Sequence, residues 1–306
     1  MAKEYLKDSA RLLLPLYRFE SETIKFVYAG YSSIKKSYYD RLILGRSISN
    51  KFLGFRCFWQ IPSLIKDYNL DIAIAEISPI VLKYFLEYTG YIIPEWTKMR
   101  ISIDRPLSEI CSRSVSHFSD VTRLIRKYNL TYEIHTDIES FNFFHFRMYM
   151  PYVTKRHRGE AWIEDLNSYL KSTPPPELMT IKENGMIVGG VVISKTGDSI
   201  SLLRLGLLDG NEEYRKHGVI GAFYYFGVLE GKKLALKYLD VGGARPFLSD
   251  SLTRYKVGLG AEFTSHPSPT KEYLWLGVNP DSCAAMAFMQ NVMHVDKDFN
   301  LIRFGS

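Results

Sequence analysis

The chain has 306 residues, of which 46% are hydrophobic and 24% charged, and this balance excludes a disordered chain, a collagen and a disulfide-rich miniprotein. No apolar run approaches the ~20 residues of a membrane span, and three scattered cysteines without a CxxC pair favour reduced thiols in a cytoplasmic protein. The net charge of +6 lies in residues 1–130, which either attract nucleotides, RNA or anionic lipid or form a solvated surface without a partner.

The first part of the chain alternates between strand and helix signals. Such alternation favours an α/β layer. We therefore predict a smaller α/β unit over residues 1–105, in which no catalytic site is recognisable, and a second domain over residues 106–306. The predicted strands and helices of the first unit cover residues 23–29, 32–44, 70–75, 79–88 and 97–103.

Helical segments open the second domain. The pattern predicts a long amphipathic helix over residues 107–128 and a strand over residues 131–135. A strongly aromatic helix follows, with Asp137 as its cap and Pro151 as its end. The run Thr173-Pro-Pro-Pro176 is the one clear break that resembles a linker.

An antiparallel meander is the strongest local prediction. Asn184-Gly185 is a hairpin signal between two apolar runs, and a second turn at Gly197-Asp198 leads into a third run. A polar loop and an apolar helix come next, and a short strand ends at Gly242-Gly243. The predicted order is strands 177–182, 186–194 and 199–208, loop 209–217, helix 218–236 and strand 238–241.

The start of the apolar helix is a candidate anion site. Arg215, Lys216 and His217 precede Gly218, and the first turn of a helix leaves backbone N–H groups free at the positive end of its dipole. Such an arrangement suits a pyrophosphate. A helix start with a basic flank and no ligand explains the same residues.

These features resemble the GNAT acyltransferase superfamily, most closely the branch of the FemABX peptidyltransferases and CelD-like acetyltransferases. The resemblance covers roughly residues 107–265. It rests on the aromatic helix before the sheet, on the meander with its apolar helix, and on residues 238–263, where RYKVGLG is the most specific match. It implies an α/β fold with a GNAT-like mixed sheet and flanking helices. Residues 1–105 are alternatively a degenerate GNAT half.

The resemblance implies an N-acyltransferase that moves an acyl group from a thioester, acetyl-CoA or another acyl-CoA, to an amine of a small molecule or peptide. Arg215 and Gly218 match the pyrophosphate motif Q/R-x-x-G-x-G/A, whereas Ile220 stands where a small residue is expected and Gly221 is one place late. The FemABX branch takes its acyl group from aminoacyl-tRNA. A transferase that depends on aminoacyl-tRNA is therefore an alternative, and a non-catalytic GNAT-like binding module is another.

In such a fold two neighbouring parallel strands separate and hold the acyl donor, here along residues 203–208 and 239–243. Asp240 and Asp250 are the candidate proton acceptors, and the resemblance implies Tyr255 and Lys256 as site residues, with Lys256 as a substrate or oxyanion contact. The residues expected to bind the acyl donor are Leu205, Leu207, Arg215, His217, Gly218, Val219 and Gly221.

Substrate contacts are expected from Arg147, Tyr149, Arg245 and Asp250. Two of these have a simpler explanation, since Asp250 fits a helix cap and Arg245 fits a surface salt bridge. The seven histidines show neither HxxxH nor HExxH spacing, so no metal site is predicted.

Overall fold

The protein is of mixed α/β class, with two large sheets and flanking helices, as predicted. We describe it from a computed structural model. The described residues are 12–46, 48–78, 81–86, 90–112, 117–157, 163, 165–171, 173–267, 273–296 and 300–305.

Two compact units divide the chain. Unit 1 comprises residues 1–98, 243–254 and 263–306, and unit 2 comprises residues 99–242 and 255–262. This division differs from the predicted single boundary between residues 1–105 and 106–306. The reason is strand pairing, because strands near the C-terminus pair with strands from the first part of the chain.

Strands are numbered here in chain order. They are β1 (Leu13–Glu20), β2 (Lys25–Ala29), β3 (Lys51–Cys57), β4 (Ile72–Ile77), β5 (Tyr91–Pro94), β6 (Thr97–Ser102), β7 (Leu130–His135), β8 (Glu177–Glu183), β9 (Met186–Thr196), β10 (Ser199–Leu207), β11 (Tyr238–Ala244), β12 (Glu262–Pro267), β13 (Tyr273–Val278), β14 (Met293–Val295) and β15 (Leu301–Arg303).

The α-helices follow the same convention. They are α1 (Ser33–Leu44), α2 (Leu64–Asp67), α3 (Leu82–Leu86), α4 (Leu107–Ile110), α5 (Phe118–Lys127), α6 (Ile138–Phe144), α7 (Met150–His157), α8 (Leu166–Leu170), α9 (Glu212–Lys216), α10 (Val219–Lys233), α11 (Ser251–Gly258) and α12 (Cys283–Met289). A π-helical turn, His145–Tyr149, joins α6 to α7. Short 3₁₀ helices cover Phe58–Ser63 and Leu208–Gly210.

Unit 1 is built on an eight-stranded sheet in the order β15-β14-β5-β13-β4-β2-β1-β3. Strand β2 is parallel to β4, and β13 lies antiparallel between β4 and β5. Apolar side chains form two separate clusters, one around Trp275 and Phe85 and the other around Phe26 and Phe247. Burial of these large side chains stabilises the unit, at roughly 1.5–3 kcal/mol for each.

The second sheet has the order β12-β6-β11-β10-β9-β8-β7. Its central meander β8–β9–β10 is antiparallel, and β11 pairs in parallel with β10 after the long helix α10. Asn184 and Gly185 both have positive φ, 50° and 87°, as a tight hairpin turn requires. The predicted order of meander, helix and parallel strand is therefore confirmed.

Two local predictions differ from the structure, and a third falls partly outside the described residues. The stretch predicted as one helix over 107–128 contains α4 and α5, and residues 113–116 between them lie outside the described part. The predicted loop over 209–217 contains the short helix α9, whose first turn is capped by the Asn211 side chain. In the range 79–88, which is predicted as one helix, the structure describes residues 81–86, and α3 covers most of them.

Pro151 does not end the aromatic helix, as the sequence suggested, but lies inside α7. The π-helical turn ends two residues before it, at Tyr149. Proline disrupts a regular α-helix because it has no N–H and its ring meets the carbonyl four residues earlier. A wide turn displaces that carbonyl, so the helix continues through the proline.

Candidate active site

Strands β10 and β11 separate in the middle of the second sheet. Their parallel pairing covers three residues on each strand and stops at Ser201 and Asp240. Both strands continue beyond this point, β10 to Leu207 and β11 to Ala244. The facing edges of the two strands therefore diverge, and their backbone groups can hydrogen-bond to an extended ligand that contains amides.

A β-bulge bends β10 at the point of separation. Leu202 pairs with Ile193 of β9, but the next recorded pair is Leu205 with Val191, so two residues of β10 stand opposite one of β9. Such a bulge bends a strand and ends regular pairing beside a site. The two predicted donor-binding leucines of this strand differ in burial: Leu205 is half-buried and Leu207 is fully buried.

Lys256 lies at the end of β11 that diverges. Its side chain is buried, with 4% of its surface exposed, and its Nζ lies 3.9 Å from where a Cβ on Gly242 would stand. Asp240 on the same strand accepts a hydrogen bond from the backbone N–H of Gly242 at 2.8 Å. Asp240 and the buried Lys256, two of the predicted catalytic residues, thus both lie close to Gly242.

The third predicted catalytic residue, Tyr255, forms a cluster with two other tyrosines, Tyr224 and Tyr152. Its ring packs edge-on against Tyr224 of α10, with 5.9 Å between centroids. Burial around the hydroxyl raises the pKa of Tyr255 to about 12, and the nearby Tyr152 contributes to the rise. Burial also raises the pKa of Tyr224. Both phenols are therefore neutral hydrogen-bond donors near pH 7.

Sequence reasoning missed Tyr224, Tyr152 and Arg156. Arg156 donates from Nη1 to the Tyr152 hydroxyl at 2.5 Å and lowers the pKa of Tyr224 against the larger effect of burial. A tyrosine in the apolar helix α10 looks like a core residue in the sequence, and Tyr152 lies beyond the proline expected to end its helix. The only sequence signal for these residues is that a tyrosine hydroxyl, which needs a hydrogen-bond partner, stands within an otherwise apolar segment.

The start of α10 is covered by another helix. Gly218 caps α10 with φ of 91° and is buried, and a Cβ there would stand 2.9 Å from Leu124 of α5. A Cβ on Gly221 would stand 2.8 Å from Val121 of the same helix. These glycines allow close packing of α5 on α10, and Val219 is fully buried beside them.

The charged residues before α10 have acidic partners. His217 stacks on Tyr128, with 4.0 Å between ring centroids, and its Nδ1 lies 3.0 Å from a carboxylate oxygen of Glu183. Arg215 lies 2.5 Å from a carboxylate oxygen of Glu212. The side chains of His217 and Arg215, both predicted to contact a pyrophosphate, are thus paired with carboxylates in this structure.

Arg147 and Tyr149, the predicted substrate contacts of unit 2, belong to the π-helical turn. Arg147 makes two hydrogen bonds to the Asp209 carboxylate, both 2.8 Å long, and this pair raises its pKa while lowering that of Asp209. Tyr149 is buried and packs near Phe144. Arg147 therefore links the π-helical turn to the 3₁₀ helix that follows β10.

Arg245 and Asp250, the other predicted substrate contacts, belong to unit 1. Arg245 lies over the rings of Tyr38 and Trp96 and is 3.6 Å from a carboxylate oxygen of Glu95. Asp250 accepts hydrogen bonds from the N–H groups at residues 252 and 253 and from the Tyr38 hydroxyl. The helix-cap interpretation of Asp250 therefore has direct geometric support.

Comparison with known proteins adds fold neighbours. No family profile matches the sequence, and no curated protein does. Similar solved structures include L-PGS from Bacillus licheniformis, with 10% identity over 89% of this chain and 83% of that one and a TM-score of 0.44. FemX has 12% identity over 85% and 83% of the two chains, also with a TM-score of 0.44.

A third similar structure is a GCN5-related N-acetyltransferase from Anabaena variabilis, with 9% identity over 96% of this chain and 72% of that one and a TM-score of 0.35. Among the described residues, no cluster of His, Cys, Asp or Glu could hold a metal ion. Nor does any helix in that part of the chain have the length and apolar character needed to cross a bilayer.

Proposed function

We propose that unit 2 is an acyltransferase, which moves an acyl group from an activated ester or thioester to an amine. The observation that carries this proposal is the separation of β10 from β11 with the buried Lys256 at its edge. An extended acyl donor fits between diverging strands because their backbone groups match its amides. Positioning of the donor against the amine then supplies much of the rate.

In acyl transfer to an amine, the protein mainly positions the two reactants and stabilises the charge that develops. The amine nitrogen forms a bond to the acyl carbon, the carbon–oxygen or carbon–sulfur bond breaks, and the leaving group takes up the proton that the amine loses. Lys256 supplies a positive charge for the oxyanion that develops, and the neutral phenols of Tyr224 and Tyr255 supply hydrogen bonds. Asp240 is proposed to accept this proton first and to pass it to the leaving group.

An aminoacyl ester of tRNA is the donor that the geometry favours over acyl-CoA. A CoA diphosphate would occupy the start of α10, where Leu124 and Val121 pack against the glycines. His217 and Arg215, which would contact that diphosphate, are paired with Glu183 and Glu212. An aminoacyl ester reaches the diverging strands without a diphosphate at this position. The proposed acceptor is an amine of a small molecule or peptide.

The donor can be tested by ligand-induced stabilisation of the full chain. The two probes are acetyl-CoA and a tRNA that carries its amino acid through a stable amide, and uncharged tRNA is the control. A ligand at about 100 times its dissociation constant adds roughly 2.7 kcal/mol to stability. We expect this increase with the aminoacyl-tRNA analogue only.

A transfer assay with a panel of labelled amines completes the test. Stabilisation by acetyl-CoA, together with acetyl transfer that Gly218→Val abolishes, would make CoA the donor instead. That variant places a side chain against Leu124, so its folding must be checked by circular dichroism. Absence of transfer from either donor would contradict the acyltransferase proposal and favour a binding module.

A further inference from the structure

One edge of the sheet in unit 1 carries a group of exposed apolar side chains. Strand β3 is the outer strand there and, of the strands that the structure describes, pairs with β1 only. Each member of the group is between 50% and 53% exposed, a large fraction for side chains of this size. We call this group the edge patch: Leu12, Leu13, Phe52, Phe55 and Trp59.

A bulge in β3 brings its two phenylalanines to one face. Leu16 pairs with Gly54 while Tyr17 pairs with Phe52, so one extra residue stands in β3, and Gly54 has a φ of 92°. Residues three apart in a regular strand point to opposite faces. The extra residue changes this alternation, and the rings of Phe52 and Phe55 meet with 5.5 Å between centroids.

Members of the patch lie on or next to the paired strands β1 and β3, and Trp59 lies in the 3₁₀ helix that follows β3. The ring of Phe52 lies 5.5 Å from that of Tyr17 on β1, and Phe55 is paired with Pro15 on the same strand. The backbone N–H of Phe58, next to Trp59, donates to the carbonyl of Leu12. Several large apolar side chains exposed at one sheet edge mark a candidate interaction surface.

Cations accompany the apolar side chains. Lys51 and Arg56 lie in β3 itself, and Lys51 is exposed. Lys36 of α1 holds its Nζ 3.7 Å from the centre of the Tyr17 ring. Exposed Trp, Phe and Leu side chains next to Lys and Arg are typical of proteins that bind at the interface of an anionic membrane.

We propose that the edge patch docks unit 1 on an anionic lipid surface. The apolar side chains would enter the boundary between headgroups and acyl chains, and the neighbouring cations would contact the negatively charged headgroups. Trp59 would lie at the level of the headgroups, where tryptophan is enriched. This inference does not depend on the proposed function, because the edge patch and the candidate active site belong to different units.

A nucleic acid strand fits the patch less well. Bases stack on free ring faces. Here the rings of Phe52 and Phe55 meet at 82°, so that one ring edge covers the face of the other, and Lys36 covers a face of Tyr17. Leu12 and Leu13 present no ring at all.

A second copy of the chain also fits less well than a lipid surface. Sheet extension through β3 would need a regular strand edge, and the Gly54 bulge interrupts that edge.

Sedimentation of the full chain with vesicles tests the proposal. The vesicles are phosphatidylcholine alone, or equal parts phosphatidylcholine and phosphatidylglycerol. We expect binding to the second kind only, and binding that weakens as salt is added. The double change Phe52→Ser and Phe55→Ser should weaken binding by about tenfold or more, because apolar burial in the bilayer is lost.

Two further variants make the result specific. Phe143→Ser with Phe146→Ser is the matched control, since these phenylalanines are also exposed, at 40% and 58%, but belong to unit 2. This control should bind vesicles as the parent does. Vesicles should shift tryptophan emission to shorter wavelength, and Trp59→Phe should remove that shift.

Several outcomes would overturn the proposal. One is equal binding by the parent and the Phe52/Phe55 variant, and another is no binding to phosphatidylglycerol vesicles. A third is binding of single-stranded RNA, or self-association in ultracentrifugation, that the Phe52/Phe55 variant loses while vesicle binding is absent. Circular dichroism of each variant confirms that it is folded, and Lys51→Glu provides a second, electrostatic test.

Discussion

Lys256 and Tyr224 both belong to the proposed site, but the sequence points only to Lys256. The sequence segment RYKVGLG identified Lys256 through its resemblance to a family, and the structure buries this lysine at the end of β11 that diverges. Tyr224 lies in an apolar helix, where a tyrosine is most often a core residue. Its contact with Tyr255 joins two helices distant in sequence, and no local pattern reveals such a contact.

Replacement of Lys256 by methionine should reduce acyl transfer by about 10²–10³, because a charge that favours the oxyanion is removed. Methionine fills a similar volume, but the change also removes the polar contacts of a buried amino group, so we expect a loss of stability as well. The unfolding temperature should fall by several degrees while the protein stays folded at the assay temperature. Steady-state kinetics and thermal denaturation check both expectations.

Lys237→Met is the matched control, because Lys237 is an exposed lysine of the same unit, with a weak contact to Asp198 at 3.7 Å. It should leave transfer unchanged. Full activity in a folded Lys256→Met variant would remove this residue from the site. A reduction in kcat without a change in KM would support its role in the reaction itself rather than in binding.

The π-helical turn and β10 are packed backbone against backbone. A Cβ on Gly206 would stand 2.4 Å from the carbonyl carbon of Met148 and 2.5 Å from the backbone nitrogen of Tyr149. The sequence predicted the meander and α10 because local turn and periodicity signals specify them. It could not predict this contact, or the packing of α5 on Gly218, because each depends on elements that meet only in the folded protein.

Gly206→Ala should therefore destabilise the protein by about 1–3 kcal/mol, since two backbone segments would have to move apart. Urea denaturation measures this change. Gly243→Ala is the control, because a Cβ there would meet its nearest atoms at an ordinary distance of 3.5 Å. Equal stabilities of the two variants would show that the turn can move away from β10 at little cost.

Residues 263–306 return to unit 1, and this return is the largest feature that the sequence did not indicate. Strand β13 pairs along its whole length with β4 and on its other side with β5. Trp275 from β13 is 1% exposed within the cluster that includes Phe85. Pairing between strands so far apart leaves no local pattern in either strand, so a boundary drawn from the order of strand and helix signals assigned β13 to the second domain.

A chain that ends after Glu262 should lose the fold of unit 1, because its sheet would be cut between β4 and β5 and the cluster around Trp275 would open. Hydrogen exchange measured by mass spectrometry should show lost protection over β1 to β5. The meander β8–β10, which pairs with none of the removed strands, should keep its protection.

A chain that ends after Asp296 is the control, since it removes only the edge strand β15, and it should keep protection in both regions. Retained protection of β2 and β4 in the shorter chain would mean that the first five strands form a stable sheet alone, as the predicted unit over residues 1–105 assumed.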